Sequence, residues 1–185
     1  MAYAADMSTP GIYLAPGASG GLGTIQPFLR GMTGLGYSTT AVTLPRTAAE
    51  RAVDAYRAAI TADWALIGGQ SFGGRVASLL AADDPSIAAG LVLLCYPLHA
   101  PGRPDRWQER TEHWSRISCP VLLLSGDRDP FAGIGLLREA VLQLPQADLH
   151  VYPGLGHGLG PVKDDALERI QRFAGSLSRP IHSPQ

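Results

Sequence analysis

Residues 64–82 have the sequence WALIGGQSFGGRVASLLAA, which predicts a strand, a tight turn and a helix in immediate succession. The run at 64–68 is short and apolar, as in a buried strand, and apolar side chains recur at helical spacing after Gly73. Between them, Gly-Gln-Ser-Phe-Gly at 69–73 fits Gly-x-Ser-x-Gly, a pattern that exposes a serine hydroxyl on a strained strand-to-helix turn. Ser71 is therefore a candidate nucleophile.

A second stretch, Gly-Ala-Ser-Gly-Gly at 17–21, fits the same pattern. With 22 glycines among 185 residues, the pattern alone is a modest signal, so the flanking sequence must decide between the two. Ser19 also follows a strand-like run, but three glycines between positions 20 and 23 disfavour an immediate helix. We predict a loop at this second match.

The length and composition predict a globular protein with a single domain spanning 1–185. Hydrophobic residues make up 45% of the chain and the net charge is −1, which leaves no electrostatic basis for binding nucleic acid. No apolar run approaches the length that crosses a membrane. Residues 1–9 and 179–185 are expected to be loose termini.

The two cysteines and the N-terminus indicate the compartment. Cys95 and Cys119 lie in or beside apolar runs, as expected of buried thiols in a reducing environment. The first ten residues lack the basic region and apolar core of a secretory signal. We therefore expect a cytoplasmic protein.

Strand-like runs alternate with helical patterns along the chain. The strand-like runs are Gly11–Ala15, Tyr37–Leu44, Trp64–Gly68, Gly90–Cys95, Val121–Ser125 and Asp148–Tyr152. Several are apolar throughout, which is typical of strands buried on both faces of a parallel sheet. Further helices are predicted near Thr47–Ala62, Ala132–Leu144 and Lys163–Leu177. The pattern predicts an α/β domain with about six mostly parallel strands and helices on both faces.

Side chains suited to nucleophilic catalysis follow three of these strands. Ser71 follows the third, Asp127 and Asp129 follow the fifth, and His157 follows the sixth. A serine hydroxyl needs a base to take its proton and a carboxylate to orient that base. Because the carboxyl ends of parallel strands meet at one edge of the sheet, these groups are expected to converge there.

The order Ser, Asp, His along the chain resembles that of the α/β-hydrolases, and the resemblance extends from the first strand to the last helix. Segments 16–21, 69–75 and 95–99 resemble a narrower group of small, cap-less hydrolase-like domains. That group includes testis-expressed proteins and a subunit of a chromatin-modifying complex, and dienelactone-hydrolase-like proteins are a broader match. The resemblance implies a single α/β-hydrolase domain without a cap, acting on a small-molecule acyl substrate without a metal or cofactor.

Residue roles follow from the same resemblance. It implies that Ser71 is the nucleophile and His157 the general base. Asp129 matches the acid, since it is the fourth residue of the Gly-x-x-Asp turn at 126–129, while Asp127 remains the alternative, with turn capping as its other role. The backbone N–H groups of Phe72 and Ala18 are the expected oxyanion donors.

The expected activity is hydrolysis of a small ester or similar acyl bond. The alternatives are a thioesterase or peptidase with the same three residues, or a non-catalytic scaffold, because a fold does not guarantee activity. Ser19, His99 and Trp107 are candidates for the substrate pocket. Trp107 lies in the connection from Leu98 to Trp114, which is too short for a separate domain, so it either covers the pocket or packs in the core.

Metal and nucleotide sites are not indicated. No grouping of His, Asp and Cys has the spacing of a metal site. The glycine-rich loop after the first strand lacks the lysine of a phosphate-binding loop, since Lys163 is the single lysine of the chain.

Overall fold

The computed structural model of this chain describes residues 9–178, so the expectation of loose termini at 1–9 and 179–185 falls outside it except at Thr9. Six strands form one sheet in the order β2-β1-β3-β4-β5-β6, and every pairing is parallel. The strands are β1 Gly11–Ala15, β2 Thr39–Ala41, β3 Ala65–Gln70, β4 Gly90–Leu94, β5 Val121–Gly126 and β6 Ala147–Tyr152. The predicted fold class is confirmed.

Helices cover both faces of the sheet. They are α1 Gln26–Gly34, α2 Ala49–Ala59, α3 Phe72–Asp83, α4 Ile134–Val141 and α5 Lys163–Ser176. The apolar side chains of α1 and α5 pack on one face, and those of α2, α3 and α4 pack on the other. Each central strand supplies both layers by alternation: Leu91 and Leu93 face α2–α4, and Val92 and Leu94 face α1 and α5. This two-sided burial explains the uninterrupted apolar runs of the sequence.

The structure shortens several of the predicted elements. The strand expected at Tyr37–Leu44 is regular only over Thr39–Ala41, where it pairs with β1 at the edge of the sheet. The strand expected at Gly90–Cys95 ends at Leu94, because Cys95 adopts a φ of 49°, which extended backbone does not allow. The predicted helix at Ala132–Leu144 is regular over Ile134–Val141.

The connection from Leu98 to Trp114 is a pair of short 3₁₀ segments and not a cap. These segments span Pro104–Arg110 and Trp114–Arg116. Trp107 and Trp114 are buried in the α2–α4 layer, so the connection closes that side of the core. Within residues 9–178, no helix combines the length and apolarity needed to cross a membrane.

Candidate active site

Ser71 occupies a strained turn between β3 and α3. Its backbone has φ 52° and ψ −116°, and its N–H donates to the carbonyl oxygen of Leu94 at 2.8 Å. A β-carbon added at Gly69 or Gly73 would collide with the carbonyl oxygen of Ala15. The glycines of Gly-x-Ser-x-Gly are therefore required by backbone packing against the end of β1, which holds the turn in its strained conformation.

The side chains of Ser71, His157 and Asp129 form a continuous hydrogen-bonded chain. His157 Nε2 lies 2.8 Å from Ser71 Oγ, and His157 Nδ1 lies 2.7 Å from Asp129 Oδ2. Asp129 is 5% exposed, and its Oδ1 accepts a bond from the N–H of Phe131 at 2.8 Å. A carboxylate at Nδ1 fixes the proton on that nitrogen, which leaves the Nε2 lone pair facing the serine hydroxyl.

Asp127 and Asp129 have different partners, although two positions separate them. Asp127 is exposed, and its Oδ1 accepts a bond from the N–H of Gly154 at 2.6 Å. This bond ties the turn after β5 to the turn after β6. The structure therefore places Asp129, and not Asp127, against His157.

The loop that carries His157 is docked on the turn that carries Asp129. The N–H of Arg128 donates to the carbonyl oxygen of Leu155 at 3.0 Å. The ring of Phe131 packs on the imidazole of His157, with ring centroids 4.4 Å apart. These contacts restrict the movement of the imidazole, a role for Phe131 that nothing in the sequence pattern indicated.

The two predicted oxyanion donors border the same cleft beside Ser71. Phe72 is the first residue of α3, so its N–H has no carbonyl one turn earlier in the helix to bond. The loop after β1 approaches the serine, because a β-carbon added at Gly17 would lie 3.4 Å from Ser71 Cβ. Ala18 follows Gly17 in that loop and lines the cleft together with Phe72.

Two clefts flank the three side chains. The larger has a volume of about 770 Å³ and lies between the loop after β1, Phe72 and residues 44–47. The smaller has a volume of about 230 Å³ and is lined by His157, Gln70, Phe28 and Leu159, among others. The size of the larger cleft is in the range of sites for small-molecule ligands.

Of the residues predicted to line the pocket, Ser19 lines the larger cleft, whereas His99 and Trp107 line neither of the two. Trp107 is 6% exposed and belongs to the core, as its alternative reading expected. His99 is equally buried, and its backbone N–H donates to the carbonyl oxygen of Phe131 at 2.9 Å. Its Nδ1 donates to the carbonyl oxygen of Ala100, so that Nε2 accepts from Gly133 N–H at 3.3 Å. His99 thus supports the backbone that follows Asp129.

A second serine–histidine pair lies inside the fold. His113 Nε2 is 2.8 Å from Ser78 Oγ, and His113 is 3% exposed. Burial, with a smaller effect from Arg75, lowers the pKa of His113 to about 4. A base that is buried and this weak is unsuited to activating a nucleophile for an external substrate, so the pair is structural.

The two cysteines are buried thiols. Burial raises the pKa of Cys95 to about 12, with a smaller contribution from the Asp129 carboxylate, and burial raises that of Cys119 to about 11. Both groups stay protonated and unreactive near neutral pH. No cluster of three or more metal-binding side chains occurs within 9–178.

Comparison with known proteins identifies the family of this fold. The sequence profile of the family described as alpha/beta hydrolase domain matches residues 42–180, well over half of the chain. No curated protein matches the sequence.

Three of the solved structures with the same fold align with nearly the whole of this chain. A predicted CIB-like hydrolase from Thermoplasma acidophilum is 17% identical, with 92% of this chain and 88% of the other covered and a TM-score of 0.73. The monoacylglycerol lipase of Paleococcus ferrophilus is 16% identical, with 92% and 97% covered and a TM-score of 0.80. Est1E from Butyrivibrio proteoclasticus, solved with ferulic acid bound, is 15% identical, with 91% and 89% covered and a TM-score of 0.74. At these identities the likeness concerns the fold, and together with the profile match it means that this chain belongs to the α/β-hydrolase family.

Proposed function

We propose that the protein is a serine hydrolase that cleaves an ester or a similarly activated acyl bond. The observation that carries the proposal is the chain of two short hydrogen bonds, 2.8 Å and 2.7 Å, that runs from Ser71 through His157 to Asp129. Family membership and the esterase and lipase among the structural neighbours support hydrolytic chemistry at this site.

In the first step, Ser71 Oγ attacks the carbonyl carbon of the substrate and its proton passes to His157 Nε2. The imidazole becomes a cation, which the buried Asp129 carboxylate stabilises through Nδ1. His157 then gives the proton to the leaving oxygen, the bond from carbonyl carbon to that oxygen breaks, and the acyl group stays on Ser71.

The negative charge that develops on the carbonyl oxygen is stabilised by the N–H groups of Phe72 and Ala18. Phe72 begins α3, so the positive end of the helix dipole adds to its N–H. Donors fixed in the backbone need no reorganisation when the charge appears, which makes this one of the larger contributions to the rate.

In the second step, water replaces the leaving group. His157 Nε2 takes a proton from the water, and the resulting hydroxide attacks the acyl carbon. The proton returns to Ser71 Oγ as the carboxylic acid product leaves, which restores the free enzyme.

The test is hydrolysis of short p-nitrophenyl esters by the wild-type protein and the Ser71→Ala variant. We expect turnover by the wild type and a loss of at least about three orders of magnitude in Ser71→Ala. Ser115→Ala removes an exposed serine away from the site and serves as the matched control. Equal rates for a folded Ser71→Ala protein and the wild type would refute the proposal. A panel of thioesters and peptides tests whether the same three residues cleave other acyl bonds.

A further inference from the structure

We propose that the larger cleft holds the acyl part of the substrate and that this acyl part ends in a carboxylate paired with Arg46. The preferred substrate is then a monoester of a dicarboxylic acid. The proposal rests on the hydrolase function above, and it assigns a specificity residue that the sequence pattern did not indicate.

The position of His157 assigns the two clefts to the two halves of the substrate. Since His157 returns its proton to the leaving group, the leaving group has to lie on the His157 side of Ser71. The smaller cleft is lined by His157, whereas the larger cleft is lined by Phe72 and Ala18, the oxyanion donors, and not by His157. The acyl part therefore extends into the larger cleft.

Arg46 is the one charged side chain among the residues that line this cleft. It is exposed, and within residues 9–178 no hydrogen bond or ion pair engages its guanidinium. No carboxylate belongs to the lining, so the charge at the rim is uncompensated. A guanidinium in this situation is suited to binding a carboxylate through two parallel hydrogen bonds.

The N-terminus of α2 adds positive potential at the same rim. Thr47 lines the cleft, and α2 begins at Ala49 with no side chain capping its first turn. The acidic residue of that turn, Glu50, is already bound to Arg75, with 2.6 Å between Oε1 and Nη2. The helix dipole therefore reinforces the preference of Arg46 for an anion.

The rest of the cleft favours a hydrocarbon chain between the ester and the carboxylate. Leu44, Pro45 and Phe72 contribute apolar side chains to the lining that Arg46 shares. A volume of about 770 Å³ accommodates an acyl chain of several methylene groups. A neutral ester of equal length gains the same apolar contacts but leaves the guanidinium without its partner.

The experiment compares p-nitrophenyl monoesters of adipic, pimelic and suberic acids with the hexanoate, heptanoate and octanoate esters. We expect wild-type kcat/KM to favour the best dicarboxylate over its neutral counterpart by about tenfold, mainly through KM, with the preference weakening as salt increases. Arg46→Gln should abolish this preference, and Arg46→Glu should transfer it to the 6-aminohexanoate ester. Arg51→Gln, which removes an exposed arginine of α2 outside the cleft, should leave it unchanged.

A binding measurement separates this proposal from the catalytic one. In the Ser71→Ala background, calorimetry with the uncleaved adipate monoester should show binding that Arg46→Gln weakens about tenfold and Arg51→Gln does not. Turnover of all esters without a dicarboxylate preference would overturn the Arg46 assignment and leave the hydrolase standing. If the wild-type protein turns over none of the esters but binding of the adipate monoester still depends on Arg46, the hydrolase proposal is overturned and the anion site is kept. Binding that Arg46→Gln does not change would overturn the anion site in either case.

Discussion

The α-carbon of Gly126 lies against the carbonyl oxygen of Leu155, so closely that a β-carbon added to Gly126 would collide with that oxygen. Gly126 ends β5, three residues before Asp129, and Leu155 lies two residues before His157. The contact therefore sets the distance between the segment that carries the acid and the segment that carries the base.

Replacing Gly126 by alanine should separate these segments. We expect Gly126→Ala to lower kcat/KM on a neutral ester by about 100-fold, because small displacements of catalytic groups carry large rate penalties. Gly135→Ala is the matched control, since its added β-carbon meets no atom within 4 Å and alanine favours the α4 helix. A Gly126→Ala protein with the wild-type rate would show that the contact does not position the site.

The two aspartates of the turn should differ sharply in their effect on rate. Asp129→Asn removes the charge that fixes the Nδ1 proton of His157, and we expect kcat to fall by about four orders of magnitude. Asp127→Asn keeps a side-chain oxygen for the N–H of Gly154, so we expect less than about a fivefold change. Steady-state kinetics on one ester measures both. The reverse ranking would reassign the acid.

The stability of the protein should depend on the protonation of His113. The unfolded imidazole has a pKa near 6.5, whereas burial lowers that of the folded protein to about 4, so the unfolded chain takes up the proton first. The contribution of His113 to stability is complete above about pH 6.5, is lost as the pH falls towards 4, and amounts to about 3 kcal/mol at most.

Urea denaturation at pH 7 and pH 4.5 measures this effect. The free energy of unfolding of the wild type should fall more between the two pH values than that of His113→Gln, with a difference of about 2 kcal/mol. Other titrating groups are common to both proteins and cancel in the comparison. An identical pH dependence in the two proteins would mean that His113 titrates normally in the fold.

Tyr56 joins α2 to the centre of the sheet. Its hydroxyl lies 2.7 Å and 2.6 Å from the carbonyl oxygens of Tyr13 and Gly68, and it accepts a bond from Gly68 N–H at 2.9 Å. Tyr56→Phe leaves these buried backbone groups without that partner, so we expect a loss of about 2 kcal/mol in unfolding free energy. Tyr37→Phe is the control, because the Tyr37 hydroxyl has no hydrogen bond within residues 9–178. Equal stability of the two variants would contradict the assignment.

The central layer was predictable because its signals are local. The strand, turn and helix around Ser71 appear as one contiguous pattern, and the apolar runs of the inner strands identify a parallel sheet. β2 was predicted too long because residues on both sides of it have strand propensity, whereas the regular pairing with β1 covers three positions only. The end of β4 was missed because the positive φ of Cys95 depends on tertiary packing.

The candidate site was predictable only where chain order carries information. Strand ends and motif spacing indicate Ser71, His157 and the pair Asp127 and Asp129, and the choice of Asp129 within that pair came from the family resemblance. The contacts of Phe131 with the imidazole, the support that His99 gives to the turn, and the place of Arg46 at the cleft arise from loops that meet in space. Such loops have no periodic pattern, so the sequence gives no signal of these contacts.

The most direct test of the central claim is the position at which a fluorophosphonate probe attaches. The probe forms a bond from phosphorus to an activated serine oxygen and loses fluoride, so it marks the nucleophile irrespective of substrate. Cleavage after arginine separates the two Gly-x-Ser-x-Gly matches, because Arg30 and Arg57 lie between Ser19 and Ser71. Mass spectrometry should find the added phosphonate on Ser71 in peptide 58–75, and the label should be lost in His157→Gln. A label on Ser19, or no label on the folded wild-type protein, would contradict the account.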